Sequence, residues 1–357
     1  MKRNILYISP NFNYTCGVSK HVFTLLTSEE LNKRFNLHFI TNKGDALQKL
    51  ENAGIRYTLM EFKTDKVFHF DFFRNLKLIK DYCKEKKIDI VHSHHRYPEY
   101  LSNNFKNSLG IKTVATVHNM VTGFKIISYK SDIIIAISNS VKNHLQVYYK
   151  LIDKKIEVMY NCLSSDIELK LNVKKIKSEL GIPNNSKVLL YAGRNTKEKG
   201  ITVLLKAFNT ELDKFVETFL ILIGCEQDFD SLNNKRIIFL PAQESITKYY
   251  LIADLLVLPS FTEGLGYTML ESGVNKVPFI GSRAGGIAEF IEDGVNGYLF
   301  DPGDAVDLAR KIKYVLDHPK ETSLAAEKLH QKVLQECNCD KYFRKLTDIY
   351  TTLLAHR

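Results

Sequence analysis

Twice along this chain, short apolar runs rich in β-branched residues alternate with segments of helical periodicity. No other feature limits the fold as much. In the first half the runs are Ile5–Ser9, Leu37–Thr41, Tyr57–Met60, Asp89–His92, Thr113–His118 and Asp132–Ile137. Helical patterns at Val18–Leu31, Phe72–Lys87, Tyr100–Ser108 and Val141–Tyr149 separate them. Several runs are apolar throughout, as strands covered on both faces are. This order predicts an α/β fold with a parallel, doubly wound sheet. The alternation then restarts at Val188–Ala192, Phe219–Ile223, Ile237–Leu240, Leu255–Leu258 and Phe279–Gly281. Helical patterns at Gly200–Leu212, Ser245–Ile252 and Gly266–Asn275 lie between these runs, and three more follow at Ala305–Leu316, Thr322–Glu336 and Lys341–Leu354. The 357 residues suffice for two such domains. A polar stretch ending in a Pro-Asn-Asn turn signal puts the linker near 162–172.

Open α/β sheets bind ligands at the carboxyl ends of their strands, so a cleft between two of them is the expected site. The candidate polar residues fall at such ends. Gly17 follows the first strand, His92 and His94 the fourth, and His118 the fifth; Arg194 and Glu263 end strands of the second set.

Glu263 and Glu271 lie in PSFTEGLGYTMLESGVNKVP. The first projects from a Gly-containing loop and the second from about the second turn of the next helix. The helical rise puts them roughly 10 Å apart, which suits two hydroxyl clusters on one long ligand. The helix start between them attracts phosphate. A nucleotide-sugar has that layout; a solvated helix face is the plainer alternative. Arg194 and Lys199, in YAGRNTKEKG, form a candidate pyrophosphate clamp at a strand-to-helix loop, with structural salt bridging as the alternative. Gly17 lets backbone N–H groups approach phosphate, and no G-x-G-x-x-G accompanies it. His118 is either a satisfied core histidine or a sugar contact at the strand mouth. His92, His94 and His95 have an H-x-H spacing, but no carboxylate or cysteine at useful spacing completes a zinc set, so no metal is expected. Asp228 and Asp230 imitate a metal–pyrophosphate motif but read as a turn and a helix cap.

Composition excludes other classes. No apolar run approaches the ~20 residues needed to span a bilayer. The opening MKRNILYISP reads as a first strand rather than a signal peptide. Six cysteines without framework spacing suit a reducing cytoplasm. Residues 1–170 carry 26 Lys and Arg against 16 Asp and Glu, while 171–357 carry 24 against 24, so the whole net charge of +10 lies in the first half. An anionic partner for that half is implied. The 72–87 helix concentrates the charge, with Arg74, Lys77, Lys80, Lys84 and Lys87 beside an apolar stripe. Besides a solvated face, contact with anionic lipid at the inner face of the cell membrane is expected there. No nucleic-acid module is recognisable, so no nucleic acid is expected.

Taken together, these motifs resemble glycosyltransferase family 4, the retaining enzymes of GT-B fold, over most of the chain. Residues 254–303 look like its E-x7-E block with the following Gly285, Gly286 and Glu289, and YAGRNTKEKG is similar to its Gly-Arg…Lys-Gly phosphate loop. The first-strand glycine loop and the Thr-Val-His strand also match. The resemblance implies two Rossmann-like domains facing an interdomain cleft. Residues 1–165, joined by the returning 341–357 helix, would bind acceptor, and residues 166–340 would bind donor. Glu263 would hold donor-sugar hydroxyls, with backbone N–H groups of Gly264, Leu265, Gly266 and Tyr267 nearby. Glu271 would hold the ribose, and Arg194 and Lys199 would neutralise the leaving diphosphate without metal or other cofactor. Gly17 would support that charge, and His118 would contact the donor sugar near the reacting carbon. Three positions depart from the pattern: Cys16 precedes Gly17 where a second glycine is usual, Asn161-Cys162 replaces Asn-Gly, and the glycine common before the helix at 244 is replaced at Pro241 or Ala242.

The expected activity is therefore retaining, metal-independent transfer from a UDP- or GDP-sugar to a glycan or lipid-linked acceptor, in bacterial surface-polysaccharide synthesis. The alternatives are a sugar-nucleotide epimerase of similar fold and a non-catalytic partner subunit of a transferase complex. Product analysis and a donor-hydrolysis assay separate them.

Overall fold

The computed structural model describes residues 2–61, 71–151, 156–163, 171–211, 217–225 and 234–355. Asp228 and Asp230, and most of the expected linker, lie outside these. The chain forms two compact units, Met1–Cys162 with Cys339–Arg357, and Leu163–Asn338.

The first unit holds seven strands: β1 (Arg3–Asn11), β2 (Phe35–Lys43), β3 (Thr58–Leu59), β4 (Ile90–Ser93), β5 (Lys112–Val117), β6 (Ile133–Ala136) and β7 (Ile156–Val158). Their order is β3-β2-β1-β4-β5-β6-β7, and every pair is parallel. The order reverses between β1 and β4, where Tyr7 pairs with His92 and Ile8 with Ser93. β1 and β4–β6 are buried on both faces, so their sequences are apolar runs instead of alternating ones. The Cys339–Ala355 helix belongs to this unit. Its Tyr342, Phe343, Leu346 and Tyr350 join the core that contains Ile5, Tyr7 and Leu25.

The second unit holds β8 (Lys187–Ala192), β9 (Thr218–Ile223), β10 (Ile237–Leu240), β11 (Leu255–Leu258), β12 (Phe279–Ser282) and β13 (Tyr298–Phe300). Their order is β10-β9-β8-β11-β12-β13, again all parallel, with the reversal between β8 and β11. Helices Ala305–Asp317 and Ile201–Lys206 cover one face of this sheet through Leu308, Ile312, Leu204 and Leu205. Chain entry and exit lie side by side, because Leu163 bridges Asn338.

The differences from expectation are local. Val18–Leu31 is two helices, Gly17–Leu26 and Glu29–Arg34. Ser28 accepts from the Leu31 N–H and starts the second, with Glu29 and Glu30 in its first turn. The segment after Gly200 is α-helical only to Lys206 and π-helical over Ala207–Glu211. β7 and β13 went unnoticed because three residues show no period. The 72–87 pattern is the Asp71–Glu85 helix, which buries Asn75, Ile79 and Cys83 and exposes Phe73, Arg74, Lys77 and Lys84. Among the described residues no helix is long and apolar enough to cross a membrane.

Candidate functional site

In each unit the sequence-predicted polar residues gather where the strand order reverses, because adjacent strands there send their following loops to opposite faces and leave a crevice at their ends. In the second unit these are the loops after β8 and β11. Arg194 follows β8 and is exposed; its guanidinium makes no hydrogen bond or ion pair among the described residues. A 3₁₀ turn over Lys197–Lys199 then leads to Gly200 at φ +65°. Gly200 is required twice over: its φ is left-handed, and a Cβ would lie 2.0 Å from the Pro259 carbonyl oxygen. The two loops thus touch backbone to backbone, and the Phe261 N–H donates to the Glu198 carbonyl at 2.8 Å.

This contact brings Lys199 to Glu263. The Nζ lies 2.6 Å from Glu263 Oε2, with side chains only 24% and 9% exposed. Ser260 Oγ donates to the same oxygen at 3.3 Å. Glu263 Oε1 has no partner among the described residues and is left to accept from a ligand. The predicted sugar-binding carboxylate and the predicted phosphate-binding cation are therefore bonded to each other. Gly266 then opens the Tyr267–Val274 helix with no side-chain cap. Glu271, on its second turn, receives a 2.6 Å hydrogen bond from Tyr250 OH at Oε2. Burial pushes the Tyr250 phenol well above its ordinary pKa, so it stays protonated and donates. Tyr250 had no signal in the sequence; it is one apolar-looking residue of a short helix, Thr247–Tyr250. Gly286 supports the acidic loop from the next helix. Its N–H donates to the Glu263 carbonyl at 2.8 Å, and a Cβ on it would sit 1.9 Å from the Gly264 carbonyl oxygen.

In the first unit, Gly17 begins the Gly17–Leu26 helix after β1. Cys16 precedes it at φ −105°, an extended conformation any residue adopts, so the missing second glycine is not a backbone requirement. Four histidines meet below. His92, from β4, is fully buried and spent on structure: Nδ1 lies 2.5 Å from Tyr350 OH and Nε2 2.7 Å from Thr116 Oγ1. Tyr350 OH also donates to Tyr7 OH at 3.0 Å. His118, one residue past β5, is buried with Nε2 3.1 Å from His94 Nδ1. His21 packs edge-on against His118, its ring centroid 5.0 Å away, and its Nε2 lies 3.2 Å from Tyr342 OH. Of the H-x-H pair, His92 thus falls outside the set of converging nitrogens. The three imidazoles that converge are His21, His94 and His118, with one ring nitrogen of each within 4.8 Å of the others. His21 was missed because it lies one helical turn beyond Gly17, where it reads as helix surface.

Burial pushes the His21 imidazole down to about 3, and burial and neighbouring imidazoles push His92, His94 and His118 down as well. The unfolded chain therefore takes up protons below about pH 6.5 that the folded unit refuses, so stability falls as pH drops from 6.5 toward 3. The urea midpoint is expected to be lower at pH 5.5 than at pH 7.5, and His21→Gln should flatten that dependence. A midpoint independent of pH in this range would mean that the cluster is solvated.

Comparison with known proteins follows the same division. Residues 16–166 match the family Glycosyltransferase Family 4, and residues 172–332 match Glycosyl transferases group 1. A relative in Bacillus anthracis, N-acetyl-alpha-D-glucosaminyl L-malate synthase, is 27% identical over 299 residues, covering 76% of this chain and 77% of its own. The capsular polysaccharide biosynthesis glycosyltransferase CapM of Staphylococcus aureus is 23% identical over 349 residues, 90% of this chain and 91% of its own. Among solved structures, a glycosyltransferase from Rickettsia africae superposes with a TM-score of 0.81 at 24% identity over 99% of both chains. Anabaena HepE, in complex with UDP-glucose, superposes with a TM-score of 0.82 at 16% identity, over 98% of this chain and 99% of its own.

Proposed function

We propose that this chain, which belongs to glycosyltransferase family 4 and is a glycosyltransferase of GT-B fold, transfers a sugar with retention from a UDP- or GDP-sugar to a glycan or lipid-linked acceptor, without a metal ion. The supporting observation is the grouping at the β8–β11 reversal: Arg194, the Lys199–Glu263 pair, and Glu271 one helix start away. Glu263 Oε1 accepts from donor-sugar hydroxyls. Lys199 spends one N–H on Glu263 and keeps others for the diphosphate, which the unpaired Arg194 fork also meets. Glu271, oriented by Tyr250, accepts from the ribose hydroxyls. Negative charge grows on the diphosphate as the glycosidic bond breaks, and two fixed cations stabilise it. The acceptor hydroxyl attacks the resulting oxocarbenium-like sugar on the face that the diphosphate leaves, forming the new glycosidic bond and passing its proton to the departing diphosphate. The resemblance also assigns His118 to the donor sugar and Gly17 to the diphosphate.

The acceptor side rests on charge. The bacillary relative is named for L-malate, an anion, and the staphylococcal one for capsular polysaccharide. Residues 1–170 hold all of the excess positive charge, so a phosphorylated or otherwise anionic acceptor of surface-polysaccharide synthesis fits that half. The test is a thermal-shift screen of nucleotide-sugars in EDTA, followed by NMR of the product anomer. One UDP- or GDP-sugar should stabilise the protein by mass action, and the product should keep the donor's anomeric configuration. An inverted product, or a strict need for added metal, would refute the reading.

A further inference from the structure

We propose that His94 is a positioning residue for His118: its Nδ1–H donates to His118 Nε2 and fixes His118 as the Nδ1–H tautomer, a hydrogen-bond donor to the sugar. This rests on the reading that His118 contacts the donor sugar.

The facing nitrogens are 3.1 Å apart, a hydrogen-bond distance that accommodates one proton. Two arrangements are open, and the far side of His94 decides between them. His94 Nε2 is buried and has no partner among the described residues. If His118 Nε2–H donated, His94 would be the Nε2–H tautomer, with a buried N–H and nothing to accept it. If His94 Nδ1–H donates, Nε2 is a bare lone pair, and an unmet acceptor is tolerated better than an orphaned N–H. His118 Nε2 is then consumed, and its proton sits on Nδ1.

The His94 ring is also held in place. It stacks on His92 with centroids 4.5 Å apart at 23°, and His92 is pinned at both nitrogens by Tyr350 and Thr116. Tyr7 flanks His94 at 5.8 Å. The helix Cys339–Ala355, which supplies Tyr350, thereby helps hold the ring that orients a histidine at the end of β5. A cation held by His21, His94 and His118 is the competing arrangement. Ligating histidines normally donate their other N–H to a partner, and His94 Nε2 has none among the described residues.

Long-range proton–nitrogen NMR of the nitrogen-15 histidine-labelled wild-type protein decides the tautomers without any variant. Both His94 and His118 should carry the proton on Nδ1, with Nε2 bare; spectra of His94→Asn and His118→Asn give the assignments. A proton on His94 Nε2 would overturn the proposal, as would uptake of one equivalent of Zn2+ that shifts His94 Nδ1 and His118 Nε2 together. Kinetics then test the role. His94→Phe should lower kcat about tenfold with donor affinity unchanged, the worth of one hydrogen bond. His94→Asn, whose amide returns a donor near the Nδ1 position, should recover most of that loss. The double variant His94→Phe with His118→Ala should be no slower than His118→Ala alone, because His94 acts through His118. Equal losses in His94→Phe and His94→Asn, or additive losses in the double variant, would contradict positioning. Failure of the underlying reading looks different: His118→Ala would transfer at the wild-type rate while the wild-type tautomers stand as predicted.

Discussion

Lys199→Met is expected to slow transfer about a hundred- to a thousandfold at saturating donor, because it removes a fixed cation from the proposed site of leaving-group charge. Donor affinity should change far less, since the proposed ground-state contacts through Glu263 and Glu271 remain. The variant has a second consequence. Lys199 is the ion-pair partner of a carboxylate only 9% exposed, so its loss leaves Glu263 short of compensation and destabilises the unit by up to about 3 kcal/mol. Adding Glu263→Gln should restore most of the stability and none of the rate. Single-turnover kinetics and urea unfolding on the same samples separate the two effects. A Lys199→Met enzyme with wild-type turnover would remove Lys199 from the chemistry and leave it a structural cation.

Gly286→Ala should have a comparable effect through shape alone. Its Cβ would lie 1.9 Å from the Gly264 carbonyl oxygen and 2.7 Å from the Gly264 carbonyl carbon, and both contacts are backbone. Either the Gly285–Phe290 helix or the Glu263–Tyr267 loop must move, at about 3 kcal/mol for overpacking of this severity. The Gly286 N–H bond to the Glu263 carbonyl would be lost in the process. Donor affinity should fall about a hundredfold, because the displaced loop carries the carboxylate proposed to bind the sugar. Gly54→Ala is the control: at φ +68° with nothing within 4 Å, it adds only backbone strain of about 1 kcal/mol. If Gly286→Ala matched the control in stability and donor affinity, the backbone contact would not be what places Glu263.

The sequence was informative where function and backbone geometry coincide. Strands β1, β4, β5, β8 and β11 are buried on both faces, so they show as apolar runs, and most of the candidate polar residues lie in the loops just past them. Glu263, Glu271, Arg194 and Lys199 were visible because glycines and a helix start surround them. What stayed hidden depends on contacts distant in sequence. The Tyr250–Glu271 bond spans 21 residues and the Tyr350–His92 bond 258, and nothing local marks either tyrosine as a polar partner. The histidines show the same limit. Adjacent in sequence, His94 and His95 part company, while His21, His94 and His118 arrive from three elements and become one cluster. Helix ends missed by sequence, such as the break at Ser28, turned on one side-chain cap.

The second unit is proposed to grip a nucleotide-sugar at both ends, with Glu271 on the ribose. Calorimetric titration of the donor from the screen into EDTA-treated wild-type protein and Glu271→Ala tests it directly. Binding to the wild type should be saturable, and binding to Glu271→Ala at least about tenfold weaker, the loss expected for charge-assisted hydrogen bonds to the ribose. Identical affinities for the two proteins would contradict it.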